Sequence, residues 1–185
     1  MKKLLRLTGG SFAGRRLYVP GSGVRPATNM VREAVFSTLF GFFEEGMEGL
    51  AVLDLFAGTG SLGLEAISRG ASRVTFVDRM GESIRSIGRN LRILGYRAEV
   101  VRSDVLSFLK RQEALDYDII FMDPPYSYKK CGTAVHLIVE RVSDGPAVLV
   151  HERAWAPEPP SFDTGARLDK RKKYGQTEIL YYRLG

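Results

Sequence analysis

Hydrophobic residues recur along most of this chain with two spacings, one typical of short buried strands and the other typical of amphipathic helices. From about residue 48 onward, strand-like and helix-like segments alternate. The pattern predicts strands over residues 51–56, 73–77, 97–102, 117–122 and 147–151. It predicts helices between these strands over residues 62–69, 82–94, 105–111 and 133–142. Such an alternation predicts a mostly parallel sheet with helices on both of its faces.

The N-terminal part of the chain follows a different pattern. Residues 4–18 alternate loosely around glycine turn signals, which predicts a β-hairpin. Residues 20–27 are rich in glycine and proline and predict a loop. Thr28 or Asn29 can then cap a helix that reaches about Phe43. We therefore divide the chain into an N-terminal extension and a main domain, over residues 1–27 and 28–185.

The C-terminal part predicts a second hairpin. Two strand-like segments, residues 167–173 and 177–183, flank a turn at Tyr174 and Gly175. A hairpin at this place adds a strand that runs antiparallel to the others. The whole chain thus predicts a Rossmann-like α/β fold, with a mostly parallel seven-stranded sheet, an antiparallel last strand and a small N-terminal hairpin and helix extension.

The composition is that of one domain with an ordinary core, since 44% of the 185 residues are hydrophobic. The one cysteine, Cys131, excludes an internal disulfide framework and fits a reducing compartment. No apolar run approaches the roughly 20 residues that span a bilayer, and the first residues lack the apolar stretch of a signal peptide. We expect a cytoplasmic monomer that requires neither a membrane nor a metal.

Positive charge is concentrated at the two ends of the chain. The net charge is +6, the pI is about 9.5, and no acidic residue precedes Glu33. Basic residues cluster over residues 2–32 and again over residues 167–173. Either cluster alone is typical of a solvated surface, whereas both together favour a polyanionic partner. Arg32 can alternatively brace a loop near a cofactor. The candidate phosphate-binding residues are Arg15, Arg16, Arg25, Arg32, Lys170, Arg171, Lys172 and Lys173.

A glycine-rich loop follows the first strand of the alternating region. Residues 58–63 match the pattern G-x-G-x-x-G, whose glycines allow a tight turn and a close approach of a ligand to the backbone. The same pattern suits a dinucleotide, and it also occurs at plain strand–turn–helix corners. Asp54 favours an amino-acid-like cofactor over a dinucleotide or a plain corner. A carboxylate at the end of the preceding strand can hold the cationic amino end of such a cofactor, directly or through water.

Further acidic residues follow the next strands. Asp78 lies about 20 residues past Gly58, where an acid is expected to meet an adenosine ribose. Asp104 can accept a hydrogen bond from adenine while Val105 offers its backbone amide, and Asp104 can also cap the helix that begins there. Because parallel strands end at the same edge of a sheet, one ligand crevice is predicted around Asp54, Asp78, Asp104 and Asp123.

The sequence Asp123-Pro124-Pro125-Tyr126 follows the fourth of these strands. Two prolines cannot continue a sheet ladder, so the strand ends there and presents a carboxylate, a stiff turn and an aromatic ring together. The carboxylate and a carbonyl freed by the turn can accept hydrogen bonds from an exocyclic amine, and the ring can stack on a nucleobase. This motif therefore predicts a site that holds the amino group of a flat heterocycle.

Taken together, these residues resemble the S-adenosylmethionine-dependent amino-methyltransferases. The resemblance rests on residues 52–60, Asp78, Asp104 and the motif at residues 123–126. More narrowly, the chain is similar to the RsmD family, which methylates a guanine N2 in bacterial 16S ribosomal RNA. The segments that resemble the RsmD family in particular, rather than amino-methyltransferases in general, are residues 9–17, 25–36 and 173–177.

The resemblance implies a class I methyltransferase domain, S-adenosylmethionine as the cofactor, and 16S ribosomal RNA or an assembling small ribosomal subunit as the partner. Asp123 and the Pro124 carbonyl are implied to accept hydrogen bonds from the target amine, and Tyr126 to stack on a flipped-out base. The amine proton leaves to Asp123 or to water. The implied cofactor-binding residues are Asp54, Phe56, Ala57, Gly58, Thr59, Gly60, Asp78, Arg79, Asp104, Val105 and Asp123.

Three other functions stay open at the level of the sequence. An adenine-N6 DNA methyltransferase shares the glycine loop and the motif at residues 123–126, although such enzymes generally carry an added target-recognition domain. A dinucleotide-dependent oxidoreductase shares the loop but gives Asp54 no ammonium group to bind. A non-catalytic RNA-binding domain of methyltransferase shape does not require acids at all four strand ends.

Overall fold

The computed structural model describes residues 4–19, 28–43, 45–162 and 164–185. The strands are β1 (Leu4–Arg6), β2 (Arg16–Tyr18), β3 (Ala51–Leu55), β4 (Arg73–Asp78), β5 (Glu99–Arg102), β6 (Ile119–Met122), β7 (Ala147–Ala154), β8 (Arg167–Tyr174) and β9 (Thr177–Leu184). The helices are α1 (Asn29–Leu39), α2 (Ser61–Ser68), α3 (Gly81–Leu94), α4 (Val105–Arg111) and α5 (Cys131–Arg141). Every predicted strand and helix is present, with boundaries that differ by a few residues.

Seven strands form the central sheet, in the order β5-β4-β3-β6-β7-β9-β8. The strands from β5 to β7 pair in parallel with their neighbours. β9 is inserted between β7 and β8 and runs antiparallel to both, so the last strand of the chain is the reversed one. The predicted Rossmann-like α/β fold is therefore confirmed, and β1 and β2 form the predicted small hairpin outside this sheet.

The central sheet separates two hydrophobic cores. On one face, α1, α2, α3 and the β1–β2 hairpin cover a cluster that includes Phe36 and Phe121. On the other face, α4 and α5 cover a cluster that includes Leu53 and Ile138. Helices are needed on both sides because the parallel strands are apolar on both faces. In the described part of the chain, no helix combines the length and the apolar character needed to cross a membrane.

Two element boundaries differ from the prediction, one at a local turn and the other where a strand is extended by pairing. α1 ends at Leu39 rather than near Phe43, and the Gly41 amide then donates to the Thr38 carbonyl in a tight turn. β7 continues past residue 151 to Ala154, because β9 pairs with it along its whole length. The longer β7 carries Glu152 into the sheet, beside the end of β6.

One buried carboxylate fixes the N-terminal hairpin to α2. Glu65 is 0% exposed and accepts hydrogen bonds from Thr8 N at 3.0 Å, Thr8 Oγ1 at 2.7 Å and Gly9 N at 2.9 Å. It also pairs with Arg69 at 3.0 Å and with Arg32 at 3.6 Å. These donors compensate the carboxylate for the hydration that it loses on burial.

The next turn of the hairpin packs against the C-terminal end of α2. The Ser11 amide donates to the Ser68 carbonyl at 2.6 Å, and the Ser68 hydroxyl donates to the Gly9 carbonyl at 2.5 Å. A Cβ atom on Gly10, whose φ is +75°, would lie 1.6 Å from the Ser68 carbonyl oxygen, so only glycine fits there. The hairpin and α2 thus pack as one unit. The domain division at residue 27 stays a prediction, because residues 20–27 lie outside the described structure.

We predict that Glu65→Gln lowers the free energy of unfolding by about 3 kcal/mol, because the change leaves buried donors without their charged acceptor. Urea denaturation followed by circular dichroism measures the change. Glu140→Gln is the matched control, because Glu140 is 49% exposed and pairs with His136 and Arg141 at the surface. The control should lose less than about 1 kcal/mol. Equal losses in both variants would show that the Glu65 cluster contributes no more than a surface pair.

Candidate active site

Acidic residues gather at the carboxyl edge of the parallel strands. The pairing registers, continued by one residue, place one residue from each of β4, β3, β6 and β7 at the same level. Asp54 lies two residues deeper on β3, and Asp104 follows β5. The structure thus brings the predicted strand-end acids to one edge. The residues that share the upper level are Asp78, Phe56, Asp123 and Glu152.

The loop after β3 is shaped by left-handed backbone conformations. Phe56 has a φ of +57°, which is rare for a bulky residue, and Gly58 and Gly60 follow with φ of +54° and +74°. A Cβ on Gly63 would lie 2.3 Å from a ring carbon of Phe76, so this first turn of α2 needs glycine as well. The chain therefore turns sharply from β3 into α2 and leaves room for a ligand to approach the backbone.

The two remaining predicted residues of the glycine loop are Ala57 and Thr59, and both side chains are buried. The Ala57 amide donates to the Val77 carbonyl of β4 at 3.1 Å, and the Gly60 amide donates to the Ala57 carbonyl at 2.6 Å. The first of these bonds ties the loop to the neighbouring strand, and the second closes a turn within the loop. Contacts between the loop and a cofactor stay a prediction.

Asp54 is the deepest of the acids. Its side chain is 2% exposed, and within the described residues its hydrogen bond comes from the Gly63 amide at 3.0 Å. Burial raises the pKa of Asp54 to about 8, the Gly63 hydrogen bond opposes this change, and the charge of Asp78 adds to it. A cationic ammonium group would compensate the buried carboxylate. The surroundings of Asp54 therefore fit the amino end of S-adenosylmethionine.

Asp78 is held in a fixed orientation by two backbone amides. The Gly58 amide donates to its Oδ2 at 2.7 Å, and the Met80 amide donates to its Oδ1 at 2.7 Å. Each carboxylate oxygen can accept a second hydrogen bond, so the group keeps the capacity to bind a ribose diol. The next residue, Arg79, is exposed, and its carbonyl accepts from Arg102 Nε at 3.4 Å.

Asp104 caps α4, with its Oδ1 accepting the Ser107 amide at 3.0 Å. Its side chain is exposed, and its second oxygen keeps the capacity to accept from an adenine amine. Val105 is the first residue of α4, so its amide has no acceptor within the helix. The two expected roles of Asp104 are compatible, and its contact with adenine stays a prediction.

The proline turn after β6 exposes an aromatic ring. The Tyr128 amide donates to the Pro125 carbonyl at 2.7 Å, which closes the turn, and Pro124 is buried beneath it. Tyr126 is 69% exposed, and its hydroxyl lies 3.0 Å from Thr177 Oγ1 at the start of β9. One edge of the ring is therefore fixed while a large part of its surface is available for stacking.

Asp123 lies beside the carboxylate of Glu152, which was not among the residues predicted from the sequence. Desolvation raises the pKa of Asp123 well above its usual range, and the charges of Glu152 and Asp54 raise it further. Burial also raises the pKa of Glu152. The prediction ended this strand at His151 and so left Glu152 out. The missed signal was an acid directly after an apolar run, the same arrangement that had identified the four earlier acids.

A pocket of about 330 Å³ adjoins the proline turn, on the face of the sheet that α5 covers, and Pro124 and Tyr126 belong to its lining. Its walls also include Tyr128, His151, Arg153 and Phe162, and none of its lining residues in the described part of the chain is acidic. Burial and the charge of Arg153 lower the pKa of His151 to about 4, so its imidazole is neutral at pH 7. The described lining of this pocket offers no carboxylate to an amine, whereas the acid-lined edge offers several.

The predicted phosphate-binding residues fall into two groups. The exposed group consists of Arg15, Arg16, Lys172 and Lys173, and Lys170 is half-buried with its ammonium 4.6 Å from the Phe42 ring. These residues stay candidates for phosphate contacts. Arg25 lies outside the described residues.

The second group is engaged within the protein, which corrects the expectation that Arg32 and Arg171 contact phosphate. Arg32 is 1% exposed, donates to the Arg6 carbonyl at 2.5 Å and pairs with Glu65. Arg171 donates to Glu178 at 2.6 Å and to the Pro157 carbonyl at 3.0 Å. Both guanidinium groups hold chain segments together, and Arg32 braces β1 and α2 rather than a loop near the cofactor.

The reversed last strand, the glycine loop and the strand-end acids define the class I methyltransferase fold. A solved structure of the Escherichia coli protein YhhF matches this chain with a TM-score of 0.86 and 32% identity, over 98% of both chains. The sequence model of the family described as conserved hypothetical protein 95 matches residues 5–183. The chain belongs to this family, which is the RsmD family that the sequence indicated.

Two relatives match this chain over nearly its whole length. Ribosomal RNA small subunit methyltransferase D of Haemophilus influenzae is 33% identical, over 97% of this chain and 92% of its own. The Bacillus subtilis protein YlbH is 35% identical, over 97% of this chain and 98% of its own.

We predict that the ligand-free protein loses stability between about pH 5 and about pH 8, and that Asp54→Asn reduces this loss. Folded Asp54 keeps its proton up to about pH 8, whereas the unfolded chain releases it near pH 4. The folded protein therefore binds more protons in this window, and its free energy of unfolding falls as the pH rises. The slopes of the two proteins should differ by up to about 1.4 kcal/mol per pH unit. Denaturation at several pH values measures the slopes, and parallel curves would contradict a protonated buried Asp54.

Proposed function

We propose that the protein transfers a methyl group from S-adenosylmethionine to the exocyclic N2 amine of a guanine in bacterial 16S ribosomal RNA. The observation that carries this proposal is the position of Asp54 and Asp123 at two depths of one edge, beside the glycine loop and the exposed Tyr126 ring. A small-subunit RNA substrate is supported by the name of the Haemophilus influenzae relative. Such an enzyme works in the bacterial cytoplasm, where ribosomes are assembled.

The cofactor side of the proposed site follows the depth of the acids. Asp54 holds the ammonium group, the loop over residues 56–60 surrounds the methionine portion, and Asp78 holds the ribose. Arg79, Asp104 and Val105 lie where the adenine end is expected. S-adenosylmethionine supplies a methyl group that its sulfonium already activates, so the protein has mainly to bind, orient and exclude water.

The acceptor side of the proposed site is the proline turn. Asp123 and the Pro124 carbonyl accept hydrogen bonds from N2, and Tyr126 stacks on the flipped-out base. These bonds favour a pyramidal nitrogen, whose lone pair is otherwise delocalised into the ring. The lone pair forms the new N–C bond while the C–S bond breaks and its electrons stay on sulfur. The nitrogen then loses one proton, to Asp123 or to water.

We predict that Asp123→Ala slows methyl transfer by at least about 100-fold, because the amine loses its charged acceptor. The affinity for S-adenosylmethionine should change by less than about tenfold, because Asp54 and Asp78 hold the cofactor. Transfer of labelled methyl groups to 16S ribosomal RNA, followed by nucleoside chromatography, measures the rate and identifies the product.

Asp144→Ala is the matched control, since Asp144 is an exposed residue before β7, at the opposite edge of the sheet. The control should retain full activity. Wild-type turnover by the Asp123 variant would remove this residue from the mechanism. A labelled product other than N2-methylguanosine, formed by the wild type, would refute the proposed base specificity.

We predict that replacing both Arg15 and Arg16 with alanine weakens RNA binding and reduces its salt dependence. Each phosphate contact that is lost should lower the slope of log affinity against log salt by about 1. Arg97→Ala serves as the comparison, because Arg97 is exposed and precedes β5 at the edge away from the acids. RNA titrations at several salt concentrations test this, and an unchanged slope in the double variant would exclude the hairpin from the RNA interface.

A further inference from the structure

Glu152 and Asp123 project side by side from neighbouring strand ends. β6 and β7 are parallel, and their register pairs Phe121 with Val150. Phe121 and Val150 both lie in the core under α1 and α2. Because side chains alternate along a strand, the residues two positions further on project toward the same side. The two carboxylates are therefore neighbours on the face of the edge that also carries Asp54.

The described part of the protein provides no donor to this pair of carboxylates. Within the described residues, neither side chain has a hydrogen bond or an ion pair. Arg153, the residue after Glu152, projects to the other face and pairs with Glu178 at 3.4 Å. Both residues are half-buried, so partners for the two carboxylates come from water or from a bound ligand. Two adjacent carboxylates that have no donor among the described residues suit a ligand that brings two adjacent donors.

Guanine carries such a pair of donors on its Watson–Crick edge, the N1–H group and the N2 amine. We propose that Asp123 and Glu152 together form a binding site for this edge, in which Glu152 accepts the N1–H while Asp123 accepts from N2. The inference rests on the proposed function and names the group that selects the base for that reaction. Holding N1 as well as N2 also fixes the rotation of the base in its own plane, which keeps the amine directed at the methyl group.

The same pair of carboxylates discriminates against adenine. Adenine has a lone pair rather than a hydrogen on N1, so it would direct an acceptor at the Glu152 carboxylate. A site built to receive a donor rejects an analogue that lacks it, because its polar group is then left unpaired. Glu152 thus selects guanine, while Asp123 serves an exocyclic amine of either base.

The test compares two RNA fragments that carry either guanine or 2-aminopurine at the nucleotide that the wild type methylates. 2-Aminopurine keeps the N2 amine but has a lone pair on N1. For the wild type, kcat/KM should be at least about 100-fold lower with 2-aminopurine. Glu152→Gln offers an amide that can donate to this lone pair, so its preference for guanine should shrink by at least about tenfold, with slower transfer to guanine.

Two further variants make the result specific to the carboxylate. Glu158→Gln makes the same chemical change at an exposed residue in the segment after β7 and should keep the wild-type preference. Glu152→Asp keeps the charge on a shorter side chain, so it should slow transfer and still reject 2-aminopurine. It supplies the answer if the glutamine variant does not fold.

The inference would be overturned if Glu152→Gln kept its full preference for guanine. Glu152 would then not be needed to recognise the Watson–Crick edge of the base. Equal slowing of Glu152→Gln with both RNAs would overturn it too, since Glu152 would then act without regard to N1. Loss of the preference in Glu152→Asp, which retains the carboxylate, counts against it in the same way. A wild-type enzyme that methylates neither fragment would instead refute the proposed function itself.

Discussion

The ends of neighbouring parallel strands hold several carboxylates partly out of water at one edge of the sheet. Such groups are costly unless partners compensate them, and burial raises the pKa values of Asp54, Asp123 and Glu152. The two hydrophobic cores hold the strand ends in register despite this cost. An edge of this kind is expected where a ligand, rather than the protein, supplies the missing partners.

Glu65 shows that the same chain can fully compensate a buried carboxylate. It receives two backbone amides, a hydroxyl and two guanidinium groups, and it joins the hairpin, α1 and α2. Asp54 is buried to a similar degree but receives the Gly63 amide alone among the described residues. Burial is therefore a weaker indicator of function than the balance of donors and acceptors. By this measure Glu65 is structural, whereas Asp54 stays a candidate for cofactor binding.

Most of the fold and much of the candidate site could be predicted, because hydrophobic periodicity places the strands and parallel strands share one edge. Glu152 escaped prediction because the length of β7 depends on pairing with β9, which lies distant in sequence. Arg32 and Arg171 looked like free surface charge, because their partners Glu65 and Glu178 belong to other elements of the fold. Local patterns locate the elements, whereas the pairing of charges depends on contacts that only the folded chain creates.

The clamp between the hairpin and α2 has a mechanical consequence. α2 has eight residues, so it is a rod about 12 Å long. Its first turn follows the glycine loop, and its last turn is hydrogen-bonded to the hairpin through Glu65 and Ser68. A helix that is this short and firmly held at one end bends little. α2 therefore joins the basic hairpin to the loop after β3 through one short rigid element.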